Sequence, residues 1–113
     1  MIIINFKETF PSVDVAIGQV EIEIDRYKKI PNTVIKVIHG HGSHGVGGVI
    51  RLELRNRLHQ LVKQKKIKAF LPGETLTTNK LDAQDFNPTT YNKILLDEDM
   101  LRLNPGITFI VVS

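Results

Sequence analysis

The residue types best suited to chemistry are concentrated in one short segment, residues 38–48. It contains five of the chain's eight glycines and three of its four histidines. A β-branched run, residues 33–38, precedes it, and a long helical pattern follows it. A glycine turn between a strand and a helix directs free backbone N–H groups and the positive end of the helix dipole toward one point, which suits a phosphate. The sequence therefore predicts a phosphate-binding loop.

The charge distribution supports an anionic partner. Residues 49–70 carry seven basic residues against one acid, whereas residues 71–100 carry six acids against two lysines. A basic stretch beside an anion-suited loop favours nucleic acid as the ligand. Arg51 carries a forked donor that suits phosphate. The predicted contacts are loop glycines with nearby histidines and basic side chains: His39, Gly40, His41, Gly42, His44, Gly45, Gly47, Arg51, Arg55 and Lys36.

Composition excludes several classes of protein. The chain is 42% hydrophobic and 24% charged, with a net charge of +3, as in ordinary globular domains. No apolar run reaches the roughly 20 residues that span a bilayer, and the first residues lack the features of a signal peptide. Without cysteine there is no disulfide framework, thiolate metal site or cysteine nucleophile. We expect a cytoplasmic protein that does not act at a membrane.

Hydrophobic periodicity predicts a single α/β domain over residues 1–113. The pattern is βαβα, an excursion over residues 74–104 and a final strand, which indicates a two-layer βαβαββ sandwich with a mixed sheet of about four strands. We expect the first strand to be buried on both faces. Ser12 is the predicted N-cap of the first helix. Further predicted elements are strands over 2–7, 33–38, 67–71 and 106–112, helices over 13–27 and 46–65, and a short helix over 91–101.

Other interpretations of the glycine segment remain open. Residues 40–45 satisfy the dinucleotide-binding pattern G-x-G-x-x-G, but the acid expected about 20 residues later is missing. His39, His41 and His44 are suitable zinc ligands by type, although their spacing is not a specific signature; we predict no metal site and no cofactor. A helix-start turn that serves only close packing is the third interpretation, and His39 is suited to a structural hydrogen bond beneath the turn.

The segment also resembles a known family. A strand, the motif His-Gly-x-Gly over residues 39–42 and a long leucine-rich helix resemble the Smr (small MutS-related) domain. Ser12 matches the Thr or Ser that opens the family's first helix, and residues 106–112 resemble its last strand. The resemblance covers residues 1–73 and 105–113. It implies a fold similar to the C-terminal domain of translation initiation factor 3, together with nucleic-acid handling that includes DNA-nicking and RNA-cleaving members.

The departures from the family concern its catalytic element. Phe6, Lys7, Thr9 and Phe10 stand where the family has Leu, Asp, His and Gly. We therefore expect recognition of phosphate backbone or nucleic-acid structure without the usual nuclease site, in a role such as DNA repair or recombination. One alternative is a metal-assisted endonuclease, dependent on Mg²⁺ or Mn²⁺, with a rebuilt site drawn from His39, His41 and Glu8. Another is a protein-interaction module whose partner binds residues 74–104.

Overall fold

Four strands form one mixed sheet: β1 (Ile2–Asn5), β2 (Val34–Ile38), β3 (Ala69–Pro72) and β4 (Ile107–Val111). Their order is β1-β2-β4-β3; β2 is parallel to β1, and β4 is antiparallel to both β2 and β3. The structure is a computed structural model that describes residues 1–9, 11–40, 46–74 and 88–113. The predicted α/β architecture with a mixed four-stranded sheet is confirmed. The candidate site residues His41, Gly42, His44 and Gly45 lie outside the described residues.

Two long helices, α1 (Val13–Tyr27) and α2 (Val46–Lys63), cover one face of this sheet. Ser12 caps α1 as predicted, because its side-chain oxygen accepts a hydrogen bond from the backbone N of Val15 at 3.3 Å. Apolar residues recur at helical spacing on both helices and meet the sheet in one core cluster. The helical members buried in this cluster are Ala16, Val20, Ile24, Ile50, Leu54, Leu58 and Leu61. The spacing of Ile50, Leu54, Leu58, Leu61 and Val62 in the sequence predicts a buried stripe on α2, and it is confirmed: the first four are buried in the cluster and Val62 packs against it.

The opposite face is covered by two short helices, α3 (Pro88–Leu95) and α4 (Glu98–Leu101). Ile94 and Met100 are fully buried there in a second cluster with residues of β2, β3 and β4. The sequence predicted one helix over residues 91–101, which was wrong. Asp97 ends the continuity because its backbone is extended and its side chain accepts from the Asp99 backbone N, so that it caps a new helix. Residues 75–87 of the excursion lie outside the described residues.

The first strand is an edge strand, and the expectation that both of its faces are buried was wrong. Ile2 and Ile4 pack against the core beneath α1, but Ile3 points the other way and is 61% exposed. The cluster beneath α3 and α4 draws its strand residues from β2, β3 and β4, so among the described residues this cluster does not cover the outer face of β1. None of the described helices is long and apolar enough to cross a membrane.

Candidate functional site

The candidate site lies at the edge of the sheet where the parallel strands β1 and β2 end. β2 ends at Ile38 and leads directly to His39 and Gly40, while α2 begins at Val46. Because β4 is antiparallel to β2, its first residue, Ile107, pairs with Ile38 at the same edge. In parallel α/β units, ligands bind beyond the carboxyl ends of the strands. The structure therefore brings the flanks of the glycine segment together with the start of β4. Gly47 belongs to the first turn of α2.

His39 is buried and holds this edge together. Only 2% of the residue is exposed, and its Nδ1 donates to the Gly40 carbonyl at 2.6 Å. Its Nε2, 2.8 Å from Thr108 Oγ1, accepts from that hydroxyl. Burial lowers the pKa of the His39 imidazole to about 4, and the positive charges of Arg55 and Arg51 act in the same direction. The ring is neutral near pH 7 with both nitrogens engaged. His39 thus makes structural hydrogen bonds at the end of β2, and its role as a ligand contact or catalytic candidate stays a prediction.

Arg55 is committed to internal partners. Its Nε donates to Thr108 Oγ1 at 3.1 Å, and both terminal nitrogens donate to the Glu74 carboxylate at 2.9 Å. One of these nitrogens also lies 3.3 Å from the Pro105 carbonyl and 3.2 Å from that of Ile107. Burial acts to raise the pKa of Glu74, but the hydrogen bonds from Arg55 outweigh it and the pKa is lowered. This side chain clamps Glu74 to the start of β4, and a contact of Arg55 with phosphate stays a prediction.

Gly40 and Gly106 allow two backbone segments to touch. Gly40 has a φ of 78°, and the backbone N atoms of His39 and Gly40 both donate to the Gly106 carbonyl at 3.0 Å. A Cβ atom on Gly106 would lie 3.1 Å from Gly40 Cα, closer than ordinary packing. The side chain of Lys7 lies on the other side of Gly40, 3.8 Å from the position that a Cβ would take. Gly40 therefore has a conformational role, and Lys7 lies beside the segment.

Arg51 differs from Arg55 in having an unused donor. Its Nε is buried and has no hydrogen-bond partner in the described part of the chain. The guanidinium is close enough to act electrostatically on both His39 and Glu74. A buried donor without a partner costs about 1–3 kcal/mol. An oxyanion bound at this edge would satisfy it.

Lys36 was predicted to contact nucleic acid, and the structure places its side chain among internal partners. It alternates along β2 with residues of the α1/α2 core, so it points to the face covered by α3 and α4. The residue is 6% exposed, and its Nζ lies 3.0 Å from Asp97 Oδ1 and also contacts Asp99. Burial acts to lower the pKa of Lys36, but hydrogen bonds to Asp99 and Asp97 outweigh it and the pKa is raised. Lys36 forms a structural ion pair away from the site.

Two important residues at this edge were missed from the sequence, Thr108 and Glu74. Thr108 joins Arg55 to His39 and is fully buried. It is the single polar residue within the apolar run 107–112, and a polar residue in such a strand must find a buried partner. Glu74 follows Pro72-Gly73, a turn signal that gave no indication of its partner. Glu8 is exposed in the turn after β1, and the described residues contain no cluster of three potential metal ligands.

Comparison with known proteins found no matching family model, no similar curated protein and no similar solved structure. The geometry of the site therefore carries the functional argument.

Proposed function

We propose that this protein binds nucleic acid by its phosphate backbone at the edge of the sheet formed by the end of β2, the first turn of α2 and Arg51. The observation that carries this proposal is the buried Arg51 Nε without a partner in the described part of the chain. A phosphate oxygen is a strong acceptor for an arginine N–H, and such charge-assisted bonds are about twice as strong as neutral ones. The proposal also includes the relationship to the Smr domain that the His-Gly-x-Gly motif in the sequence indicates.

The charges around Arg51 favour an anion. Arg51 and Arg55 face one carboxylate, Glu74, which is already bound by Arg55 on two hydrogen bonds. His39 is neutral and adds no charge, while the exposed Lys7 lies beside Gly40. The helix α2 begins nearby and directs its positive end toward this edge. These groups contact backbone and not bases, so recognition should follow nucleic-acid shape or structure.

The proposal is tested by fluorescence anisotropy with a labelled RNA hairpin and a labelled DNA three-way junction over a series of salt concentrations, without metal. Arg51→Gln should reduce the slope of log affinity against log salt by roughly 0.7–0.9, the value of one phosphate contact. The matched control is Arg57→Gln on the same helix, where Arg57 is bound to Glu21 and Gln60. Equal slopes for the two variants, or no binding by the unaltered protein at low salt, would refute the proposal.

We propose that the protein binds nucleic acid without cleaving it and therefore uses no cofactor. The reason is that this chain lacks the acid and the histidine that Smr nucleases have at the matching positions. His39 has both ring nitrogens engaged, which leaves it without a free nitrogen for proton transfer. Repeating the assay with Mg²⁺ or Mn²⁺ on the same labelled junction and hairpin examines the endonuclease alternative. If metal-dependent cleavage products appear and are lost in Glu8→Gln, the endonuclease alternative replaces the binding proposal.

The cysteine-free sequence favours a cytoplasmic setting, which we include in the proposal.

A further inference from the structure

A second basic region lies at the end of the molecule opposite to His39. It is an open groove of about 800 Å³ whose lining includes Val112 and Ser113. These residues directly follow Val111, which pairs with Val34, so the groove lies beside the start of β2. Its charged lining comes from segments that follow α1 and α2 and precede β3: Lys28, Lys29, Lys65, Lys66 and Lys68. A second cavity of about 420 Å³ adjoins it and shares Lys28, Lys29 and Lys68. The two together form an extended lysine groove.

The lysine groove has a strong excess of positive charge. Among the described residues that line it, Asp25 is the only acid, and its carboxylate lies 4.0 Å from Lys28 Nζ. The C-terminal ends of α1 and α2 each add about half a negative charge. Lysines near these ends stabilise the helices, and this effect alone accounts for some of them. Five ammonium groups exceed what Asp25 and two helix ends neutralise. The excess is suited to a polyanion.

Lys65 is held in a conformation that costs stability. Its φ is 60°, and the backbone N atoms of Lys65 and Lys66 donate to the carbonyls of Val62 and Leu61 at 3.0 and 2.9 Å. These two bonds form a Schellman motif, in which the left-handed residue is usually glycine because a Cβ is unfavourable there. Leu103 takes the same conformation at the end of α4, with a φ of 55° and donation from Leu103 N and Asn104 N to the Met100 and Asp99 carbonyls at 3.1 and 3.0 Å. The conformation of Lys65 therefore does not by itself indicate a binding role, and its ammonium group counts only as part of the groove's charge.

The floor and the residue types of the groove indicate what it holds. Ile67 and Val112 lie at its base and are 4% exposed, while the five lysines surround them. Lysine acts on phosphate as a point charge with rotatable donors, which suits a row of phosphates whose exact positions vary. A groove that continues across two cavities suits successive phosphates with their sugars on the apolar floor. Vesicle surfaces are flat by comparison and would reach the rim only.

We propose that the lysine groove is a second nucleic-acid contact of this protein and binds consecutive phosphates of the sugar–phosphate backbone. This inference rests on the proposed function, since the ligand is the same class of molecule. The α2 helix extends from the Arg51 edge toward the groove, and the 1.5 Å rise per residue from Arg51 to its last residue, Lys63, separates the two contacts by roughly 18 Å. A ligand that touches both must be long or folded, which agrees with recognition of structure over sequence.

The test uses the same labelled hairpin and junction with the double variant Lys66→Gln/Lys68→Gln. Its salt slope should fall by about 1.4–1.8, and its affinity at low salt should fall roughly tenfold or more. The matched control is Lys63→Gln/Arg102→Gln, which removes the same charge from exposed residues that do not line the groove. Equal losses in the two double variants would show an effect of net charge only and would overturn the proposal.

The two proposals fail in different ways. If the groove variant loses affinity and Arg51→Gln does not, the groove proposal holds and the Arg51 edge is excluded. If Arg51→Gln loses affinity and the groove variant behaves as its control, the groove proposal is overturned and the proposed function stands. Loss of binding to phosphatidylserine vesicles in the groove variant, with unchanged binding to hairpin and junction, would assign the groove to a membrane surface and overturn the proposal.

Lys65→Gly provides an independent measurement. Glycine relieves the left-handed backbone, so the midpoint of thermal unfolding should rise by a few degrees. The same change removes one ammonium group from the groove, and the salt slope should fall by roughly 0.7–0.9. A more stable variant that binds less tightly supports a lysine kept for binding. A more stable variant with unchanged binding counts against the groove.

Discussion

Two polar clusters lie on opposite faces of the sheet: Lys36 of one belongs to β2, and His39 of the other directly follows β2. On the α2 side, His39 is joined through Thr108 to Arg55, which is bound to Glu74. On the α3/α4 side, Lys36 is bound to Asp97 and Asp99, and Asn104 also donates to Asp99. The first cluster will be called the His39 cluster and the second the Lys36 cluster.

The clusters differ in the sign of their remaining charge. The Lys36 cluster places one cation among two carboxylates, and Asp97 also caps α4 through the Asp99 backbone N, so its acceptors are used internally. The His39 cluster contains a neutral imidazole, and beside it Arg51 keeps a buried donor without a partner in the described residues. Charged side chains therefore form a closed structural element on one face, whereas the edge on the other face keeps one buried arginine donor without a partner in the described residues.

The largest expected effect comes from removing the cation of the Lys36 cluster. Lys36→Met leaves two neighbouring carboxylates, each about 15% exposed, without their counter-charge. Breaking such a buried pair from one side costs about 3–5 kcal/mol of unfolding free energy. Urea denaturation near pH 7 measures this. The matched control is Lys36→Met/Asp97→Asn/Asp99→Asn, which should recover most of the loss; a single variant within about 1 kcal/mol of the unaltered protein would show that the ion pair is not needed.

The next largest effect is on the pH dependence of stability, which distinguishes the His39 cluster from the Lys36 cluster. Because the pKa of His39 is lowered from 6.5 to about 4, the unfolded chain binds the proton more tightly, and stability falls as the pH decreases through this range. We expect the free energy of unfolding to fall by about 2 kcal/mol between pH 7 and pH 5. Urea denaturation at each pH measures this loss. His39→Gln, which cannot titrate, should remove this slope. A slope that persists in the variant would contradict the assignment.

Two groups of the Lys36 cluster, Lys36 and Asp99, should contribute no slope in that window. Burial acts to raise the pKa of Asp99, but hydrogen bonds from Lys36 and Asn104 outweigh it and the pKa is lowered from 3.8. The contribution of Asp99 is thus present above 3.8 and is lost as the pH falls further. The pKa of Lys36 is raised from 10.5, so its contribution is present below 10.5 and is lost at higher pH. The pH profile between 5 and 7 therefore reports on His39 alone of these groups.

The smallest effect concerns the forked contact of Arg55. Arg55→Lys keeps the positive charge but removes the second hydrogen bond to Glu74 and the donor to Thr108. Glu74 is about one-third exposed, so solvent screens the pair and the expected loss is about 1 kcal/mol. Thermal unfolding measures it, with Arg57→Lys as the control on the same helix. A larger loss in the control would indicate that the clamp at the start of β4 contributes little.

The sequence predicted the elements well where a single local signal was sufficient. The spacing of apolar residues in α2 and the cap at Ser12 are local properties, and both are confirmed in the structure. The break at Asp97 was missed because helical periodicity continues across it, and only the cap geometry reveals that a new helix begins. The exposure of Ile3 was missed because an apolar run does not indicate which strands have neighbours on both sides.

The sequence by itself determined which segments meet at the site, whereas the tertiary structure decided the role of each side chain there. Strand, glycine segment and helix follow one another along the chain, so their junction at one sheet edge was predictable. The partners of His39, Arg55 and Lys36 are 69, 19 and 61 residues away in the chain, in Thr108, Glu74 and Asp97. Whether a charged side chain is used internally depends on such distant partners, because burial makes an unpaired donor or charge costly. That is why His39, Arg55 and Lys36 are engaged by internal partners, while Arg51 Nε has none among the described residues.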